Sequence, residues 1–259
     1  MSIDPKTLRE AQLIMLEILV EVDAICQKYN LRYWLDSGTL LGAVRHQGFI
    51  PWDDDIDLSM PVEDYLKFQQ IAKEELSSNI FFQTKETDKD FLFDYIKLRS
   101  NKASIVEFHE KNREVHYHQG VFVDIFPMQT LANTVINYNT YKDVFKDIRA
   151  TSAVSLHTPE GENLPKPRKI LVDSLAELHE GWEDENNKVI YSGEMPDVAA
   201  WFDQSKIFPL KKMTFEGLEF PVPHDPDHYL ENIYSFDYMQ VPPEEKRTIH
   251  ADEVIIYSK

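Results

Sequence analysis

Between Leu31 and Met60 the apolar period of the chain changes twice, and this double change limits the fold more than any other feature of the sequence. "LRYWLD" alternates with aromatic bulk and predicts a strand over Leu31–Asp36. "SGTLLGAVRHQG" offers Ser37 as an N-cap, Gly38 where the backbone can approach a ligand, and Gly48 as a stop. A short helix is predicted there, over Thr39–His46. "DIDLSM" restores the alternation of a strand, entered through the bulky turn "FIPWDD". Helices flank the unit. From Asp4 to Lys28, residues such as Leu8, Ile14, Ile18, Val22 and Ile25 recur at helical spacing, and "PVEDYLKFQQIAKEEL" is amphipathic with Leu66, Phe68, Ile71 and Leu76 inward.

"IFFQTK", "FDYIKLRS", "ASIVEF" and "QGVFVDIFPM" carry the β-branched and aromatic content of further strands, so the chain reads as α+β. Beyond Met128 the pattern turns helical, with a helix near Ile170–Leu178 between the loops "GENLPKPRK" and "HEGWEDENNK". "FEGLEFPVPHDPDHYLENIY" predicts a β-hairpin, a proline-rich turn and a helix. There is no internal repeat.

Composition narrows the function. With 45 acidic and 27 basic side chains the net charge is −18, a field that repels nucleic acid and anionic lipid. A phosphate-bearing substrate must then be met by a local cluster of cations or by a metal. The single cysteine, Cys26, falls on the apolar face of the first helix and fits a reducing compartment. "LIMLEILVEV" is broken by Glu17 and Glu21, and no stretch approaches the ~20 apolar residues of a membrane span. The chain reads as cytoplasmic, and a peripheral association at the inner membrane face is compatible with it.

On a strand, residues two apart share a face, so Asp55 and Asp57 stand together, with Cα atoms about 6.6 Å apart, while Ile56 and Leu58 face the core. Two such carboxylates repel unless they converge on a hard cation, Mg²⁺ or Mn²⁺, with positions left open for phosphate oxygens. An acidic strand end facing water is the plainer alternative. Gly38 and Thr39, at a helix start, expose N–H groups to an anion. Asp124 in "VFVDIFP" sits in a strand between apolar neighbours, where a charge needs a partner. An EF-hand reading of "DDDIDLSMPVED" fails because Leu58 stands where that loop needs glycine.

Arg45, Lys97 and Arg99 are candidate cations for a pyrophosphate, with surface ion pairing as the alternative. His109, His116 and His118 could suggest zinc, but no cysteine is near, which favours edge-strand histidines. Trp34, Trp52, Tyr95, Trp201, Phe202 and Tyr238 could furnish an aromatic cage for a quaternary ammonium, or could be core. Trp52 is the best placed of them, beside Asp53 and Asp54.

A strand, a Gly-Thr helix start, paired aspartates and a third strand-borne aspartate together resemble the nucleotidyltransferase fold. "SGTLLGAVRHQGFIPWDDDID" with "QGVFVDIFP", and again "PDHYLENIYSFDYMQVPPEEKR", resemble the LicD family of phosphocholine and related phospho-alcohol transferases, to which the fukutin-type phosphoribitol transferases are related. The chain departs from the family pattern at Ser235-Phe236, where a single glycine is expected. The resemblance implies a nucleotidyltransferase-like mixed sheet flanked by helices, with a mostly helical C-terminal part. It implies a catalytic core over 1–130, completed within the same domain by a helical insertion and C-terminal region over 131–259. Asp55 and Asp57 would be metal ligands, and Asp124 a third ligand, the general base for the acceptor hydroxyl, or both. The donor would be CDP-choline or a similar CDP-alcohol, and the acceptor a glycan or lipid-linked glycan precursor of teichoic acid or lipopolysaccharide type. A D-x-D sugar-nucleotide glycosyltransferase and a nonenzymatic acidic calcium-binding module are the competing readings.

Overall fold

The computed structural model describes residues 3–91, 93, 95–132, 188–192 and 201–257. The helix expected near Ile170–Leu178 and its flanking loops lie outside the described residues. The chain divides into two compact units, Met1–Pro127 with Lys206–Lys259, and Met128–Ser205.

Helix α1 (Pro5–Tyr29) starts where the sequence offers a cap: the Asp4 carboxylate accepts from Thr7 N at 3.0 Å, and Pro5 takes the first turn. It ends at Asn30, which adopts the left-handed conformation. Its buried face runs through Leu8, Ala11, Met15, Leu19, Val22 and Cys26. Burial holds the Cys26 thiol far above its ordinary range, which makes it inert packing.

Helix α2 (Ser37–His46) begins earlier than the sequence suggests, and its N-cap is Asp36, not Ser37. The Asp36 carboxylate accepts from Ser37 N at 2.6 Å, and Ser37 is drawn to a φ of 44°. The helix stops at left-handed Gln47, one residue before the expected Gly48. Gly48 is needed for another reason: a Cβ there would overlap the Glu216 carboxylate, which accepts from Phe49 N at 3.0 Å. In α3 (Val62–Glu75) the buried face is Tyr65, Phe68 and Ala72, while Leu66 is turned outward.

In the first unit the sheet follows the order β1 (Trp34–Leu35), β2 (Asp57–Pro61), β5 (Gly120–Ala132), β4 (Ile96–Glu107), β10 (Ala251–Ile256), with β3 (Ile80–Gln83) also on β4. β1 pairs with β2, and β4 with β3, β5 and β10, all antiparallel. "FDYIKLRS" and "ASIVEF" form one strand because β3 pairs with Lys97–Ser100 and β10 continues from Ala103 to Glu107, so the polar residues between them need not turn. The β4/β5 register sets Lys97 against Asp124. In the second unit the end of β5, from Met128, pairs with β6 (Lys188–Ser192), which pairs with β7 (Trp201–Asp203).

Strands β8 (Lys211–Phe215) and β9 (Leu218–Val222) form the expected hairpin, closed by Glu216 and Gly217 at positive φ of 53° and 78°, the two-residue turn that matches strand twist. After a short helix α4 (Gln204–Ile207), the last long helix is α5 (Pro226–Tyr234), capped by Asp225 with Pro226 in its first turn. Ser235 follows at a φ of 82°, so serine takes the conformation that glycine would adopt there, and Phe236 is 85% exposed. Among the described residues no helix is long and apolar enough to cross a membrane.

Candidate functional site

Helix α2 is fastened beneath the acidic segment by a buried polar clamp. The Asp36 carboxylate accepts from the Tyr229 hydroxyl at 2.7 Å and from the Ser59 hydroxyl, and Trp34 Nε1 donates to the Tyr229 hydroxyl at 3.3 Å. Trp34 is therefore fully buried core and not part of a cage. Asp36 N donates to Asp57 O at 3.0 Å, joining the helix start to β2. Thr39 Oγ1 accepts from Asp57 N at 2.9 Å, so the Thr39 hydroxyl fixes Asp57 from below. Gly38 lies against another carboxylate, for a Cβ there would come 3.0 Å from Asp53 Oδ2.

A consequence follows for Thr39→Val. It leaves the Asp57 N–H without its acceptor, which should cost about 1–3 kcal/mol of stability and weaken Mn²⁺ and donor binding together. Thr39→Ser should keep both. Loss of donor binding alone, with stability and metal binding intact, would return Thr39 to a direct phosphate contact.

The carboxylates converge at the head of β2. The strand begins only at Asp57, and the residues before it are held otherwise: the Asp54 carboxylate accepts from Ala251 N, and the backbone of Asp124 donates through N to Ile56 O at 2.8 Å. That second bond sets β5 beside this segment, with Asp124 next to Asp57. Burial pushes Asp57 well above the usual carboxylate range, followed by the charges of Asp55, Asp124, Asp36 and Asp53. Asp53 is raised in the same way by burial, Asp55 and Asp54.

Asp124 is 5% exposed, and its Oδ2 accepts from Lys97 Nζ at 3.0 Å. Burial outweighs the pull of Lys97 and brings its carboxyl to about 7, with Glu107 adding to the rise. Its other oxygen, Oδ1, is buried with no hydrogen-bond partner among the described residues. A cluster of carboxylates driven toward protonation, with one buried oxygen unpartnered, is a donor set that fits a hard divalent cation. On the outer side, His250 Nδ1 lies 3.5 Å from both Asp54 Oδ1 and Asp55 Oδ2, and hydrogen bonding to Asp54 and then Asp55 raises it to about 11. Ligand atoms of Asp54, Asp55 and His250 lie within 4.8 Å of one another.

The expected cations are divided. Arg45 lines a cleft of about 660 Å³ above Gly38 and Asp53, and donates through Nη1 to Tyr238 O at 2.8 Å. Lys97 and Arg99 do not reach this cleft. Lys97 is 1% exposed, over the Phe122 ring at 3.2 Å and 3.6 Å from Glu107, so it backs Asp124. Arg99 is fully buried, donating to Gln83 Oε1 at 2.7 Å and Gly120 O at 2.9 Å, which commits it to the sheet interior and gives no support to a phosphate contact.

Of the proposed cage residues, Trp52 and Tyr238 line the cleft, whereas Tyr95 packs on Phe126 with ring centroids 4.7 Å apart. Phe202 belongs to the second unit, and the Trp201 side chain falls outside the described residues. His116 and His118 lie in the loop before β5, not on a strand, and His118 is engaged by Gly120 N at 3.0 Å and Asn101 at 2.8 Å. His109 instead approaches Glu107 and Glu110.

Sequence reasoning missed Asp53, Tyr234, Lys246, Arg247 and His250, all of which line the cleft. Four of them stand far along the chain, in or beside "YSFDYMQVPPEEKRTIH", where no local periodicity marks them.

Comparison with known proteins adds relatives to this geometry. A family model described as LicD/FKTN/FKRP, nucleotidyltransferase domain, matches residues 30–151. The chain is 30% identical to the lipopolysaccharide cholinephosphotransferase LicD of Haemophilus influenzae, over 94% of this chain and 96% of that protein. It is 31% identical to the mouse and human ribitol 5-phosphate transferase FKRP, over 49% of this chain and 22% of theirs. An uncharacterized protein of Rickettsia typhi shares 49% identity over 23% of this chain and 19% of its own.

Proposed function

Because this chain belongs to the LicD family, we propose that it transfers phosphocholine, or a related phospho-alcohol, from a CDP-linked donor to a sugar hydroxyl of a cell-surface glycan precursor, of teichoic acid or lipopolysaccharide type. It is a phosphotransferase of that family. The reading draws its donor group from the Haemophilus relative that matches nearly the full chain. Its carrying observation is the buried, unpartnered Asp124 Oδ1 beside the mutually repelling Asp55 and Asp57.

Asp55 and Asp57 would hold Mg²⁺ or Mn²⁺, with Asp124 as the candidate third ligand, and the cation would supply charge to neutralise the phosphate oxygens and make the phosphorus more electrophilic. Thr39 and Asp36 fix the backbone of Asp57, and Lys97 holds Asp124 Oδ2, which leaves Oδ1 without a hydrogen-bond partner among the described residues. The acceptor oxygen attacks the phosphorus bearing the alcohol, the bond from that phosphorus to the bridging oxygen breaks, and CMP leaves. Asp124 Oδ1, the oxygen that Lys97 leaves open, would either join Asp55 and Asp57 on the cation or take the acceptor proton. Arg45, at the cleft wall, would meet the donor's phosphates. The residues from Lys206 onward belong to the same compact unit as the aspartates, which supports one catalytic domain completed by the C-terminal region. A lipid-linked acceptor would bring the reaction to the inner face of a membrane.

Calorimetric titration with CDP-choline, UDP-glucose and CTP, each with and without Mg²⁺, tests the reading. CDP-choline should bind best and need the metal. Preference for UDP-glucose would support a glycosyltransferase, and calcium binding with no nucleotide bound would support an acidic binding module.

A further inference from the structure

A chain of net charge −18 must concentrate cations wherever a diphosphate is to rest, and the pair expected to do so on β4 is buried in the sheet. The cleft beside the aspartates carries its own. Lys246, Arg247 and His250 join Arg45 in its lining, all from the segment that follows α5.

The segment is stiff where it needs to be. Pro242 and Pro243 lead into a single 3-10 turn, Glu244–Lys246, and Arg247 N closes that turn on Glu244 O at 3.2 Å. Its far end is pinned to the acidic segment twice, by His250 on Asp54 and Asp55 and by Ala251 N on Asp54. Between these fixed points the Arg247 guanidinium stacks on Trp52, with Cζ 4.2 Å from the ring centroid. Stacking holds the guanidinium plane while leaving its N–H edges free to turn toward phosphate oxygens, a geometry an ammonium cannot copy. Its other contacts are weak to displace: Nε reaches Pro242 O at 3.2 Å, and Nη1 lies 3.6 Å from Glu244, whose side chain is 86% exposed.

We infer that Arg247, backed by Trp52 and assisted by Lys246 and Arg45, binds the diphosphate of the donor. This rests on the reading of a CDP-linked donor, and it makes the C-terminal segment the cation-bearing wall of the site. Trp52 then serves as the positioning residue for Arg247.

The test is CDP affinity in the presence of Mg²⁺, with Mn²⁺ affinity of the nucleotide-free protein as the control for an intact metal site. Arg247→Ala should weaken CDP binding about tenfold or more and leave Mn²⁺ binding unchanged. Arg247→Lys should restore little of the loss, because the planar fork and its stacking are absent. Trp52→Leu should weaken CDP binding several-fold, and in the double variant the two losses should not add, since Trp52 acts through Arg247. Arg247→Gln provides a second uncharged variant should the alanine protein fail to fold.

CDP binding within twofold of wild type in Arg247→Ala or Arg247→Gln overturns the inference, and additive losses overturn the role given to Trp52. Inorganic pyrophosphate separates this proposal from the donor reading. If the wild-type protein fails to bind CDP yet binds pyrophosphate through Arg247, the diphosphate site stands and the cytidine donor falls. If it binds neither, the diphosphate site falls. If it turns over CDP-choline while Arg247→Ala keeps the wild-type KM, the donor reading stands and the site falls.

Discussion

Replacing Asp57 with asparagine is expected to lower turnover about a thousandfold or more and to raise the melting temperature of the metal-free protein. Charge stabilisation by a bound metal is worth several kcal/mol in such a transfer, and ~4 kcal/mol corresponds to about a thousandfold in rate. The stability effect has the opposite sign because Asp57 is held well above its ordinary range by burial and by Asp55 and Asp124. An acid whose folded value is raised stabilises the fold below its unfolded value, near ~4, and that contribution is lost as pH climbs through the folded value. At neutral pH the metal-free wild type therefore carries the cost of that raised acid, whether as a disfavoured charge or as a proton taken up on folding, and Asp57→Asn removes it. The gain should appear as about 2–4 °C for each kcal/mol recovered. Lowering the pH to about 5, or adding Mg²⁺ at neutral pH, should raise the wild-type melting temperature in the same direction. Thermal melts and donor hydrolysis measured on one preparation check both halves. An active Asp57→Asn protein, or one that melts several degrees early, contradicts the cluster as a cation site.

Asp124→Asn should behave differently, although it sits in the same cluster. Its Oδ2 is the counterion of Lys97, a lysine only 1% exposed, so removing the charge leaves a buried cation with Glu107, 3.6 Å away, as its remaining carboxylate partner among the described residues. The melting temperature should fall, and turnover should fall by about a hundredfold to ten-thousandfold if the proton transfer is lost. The Lys97 contact also simplifies the role of Asp124. A division of labour with one oxygen on the metal and one on the acceptor would need both, and the structure leaves one, Oδ1. Titration of the variant with Mn²⁺ at saturating donor separates the remaining uses of that oxygen. Rescue to near the wild-type rate would make it a ligand and exclude an essential base. Unchanged metal affinity with no turnover would make it the base.

What the sequence showed of this site was what short-range periodicity can carry. Strand alternation is the ground for pairing Asp55 with Asp57, but β2 begins only at Asp57, and the charge of Asp55 reaches Asp57 from outside the strand. The hairpin before α5 is written in its two turn residues, Glu216 and Gly217. The same-face reading of Lys97 and Arg99 also follows from alternation. Which partner they meet depends on the β4/β5 register, and the register sets Lys97 on Asp124 and buries Arg99. The N-cap at Asp36 was hidden for a similar reason. Ser37 is the better local candidate, but Asp36 is held by Tyr229 from α5, far along the chain. His250 and Arg247 lie beyond any local pattern: their positions depend on β10 pairing with β4 and on Asp54 holding the start of that strand. Burial decided the rest, since an aromatic such as Trp34 reads alike in a cage and in a core until the Tyr229 hydroxyl is seen against it.

In the proposed reaction the aspartate cluster directs attack to the phosphorus that bears the alcohol. Hydrolysis of CDP-choline in ¹⁸O-labelled water, with and without Mg²⁺, tests this most directly, because attack at either phosphorus gives CMP and phosphocholine and only the position of the label tells them apart. The label should enter phosphocholine and not CMP, only with the metal present, and Asp57→Asn should release neither product. Label in CMP, or hydrolysis that runs equally well without a divalent cation, would contradict it.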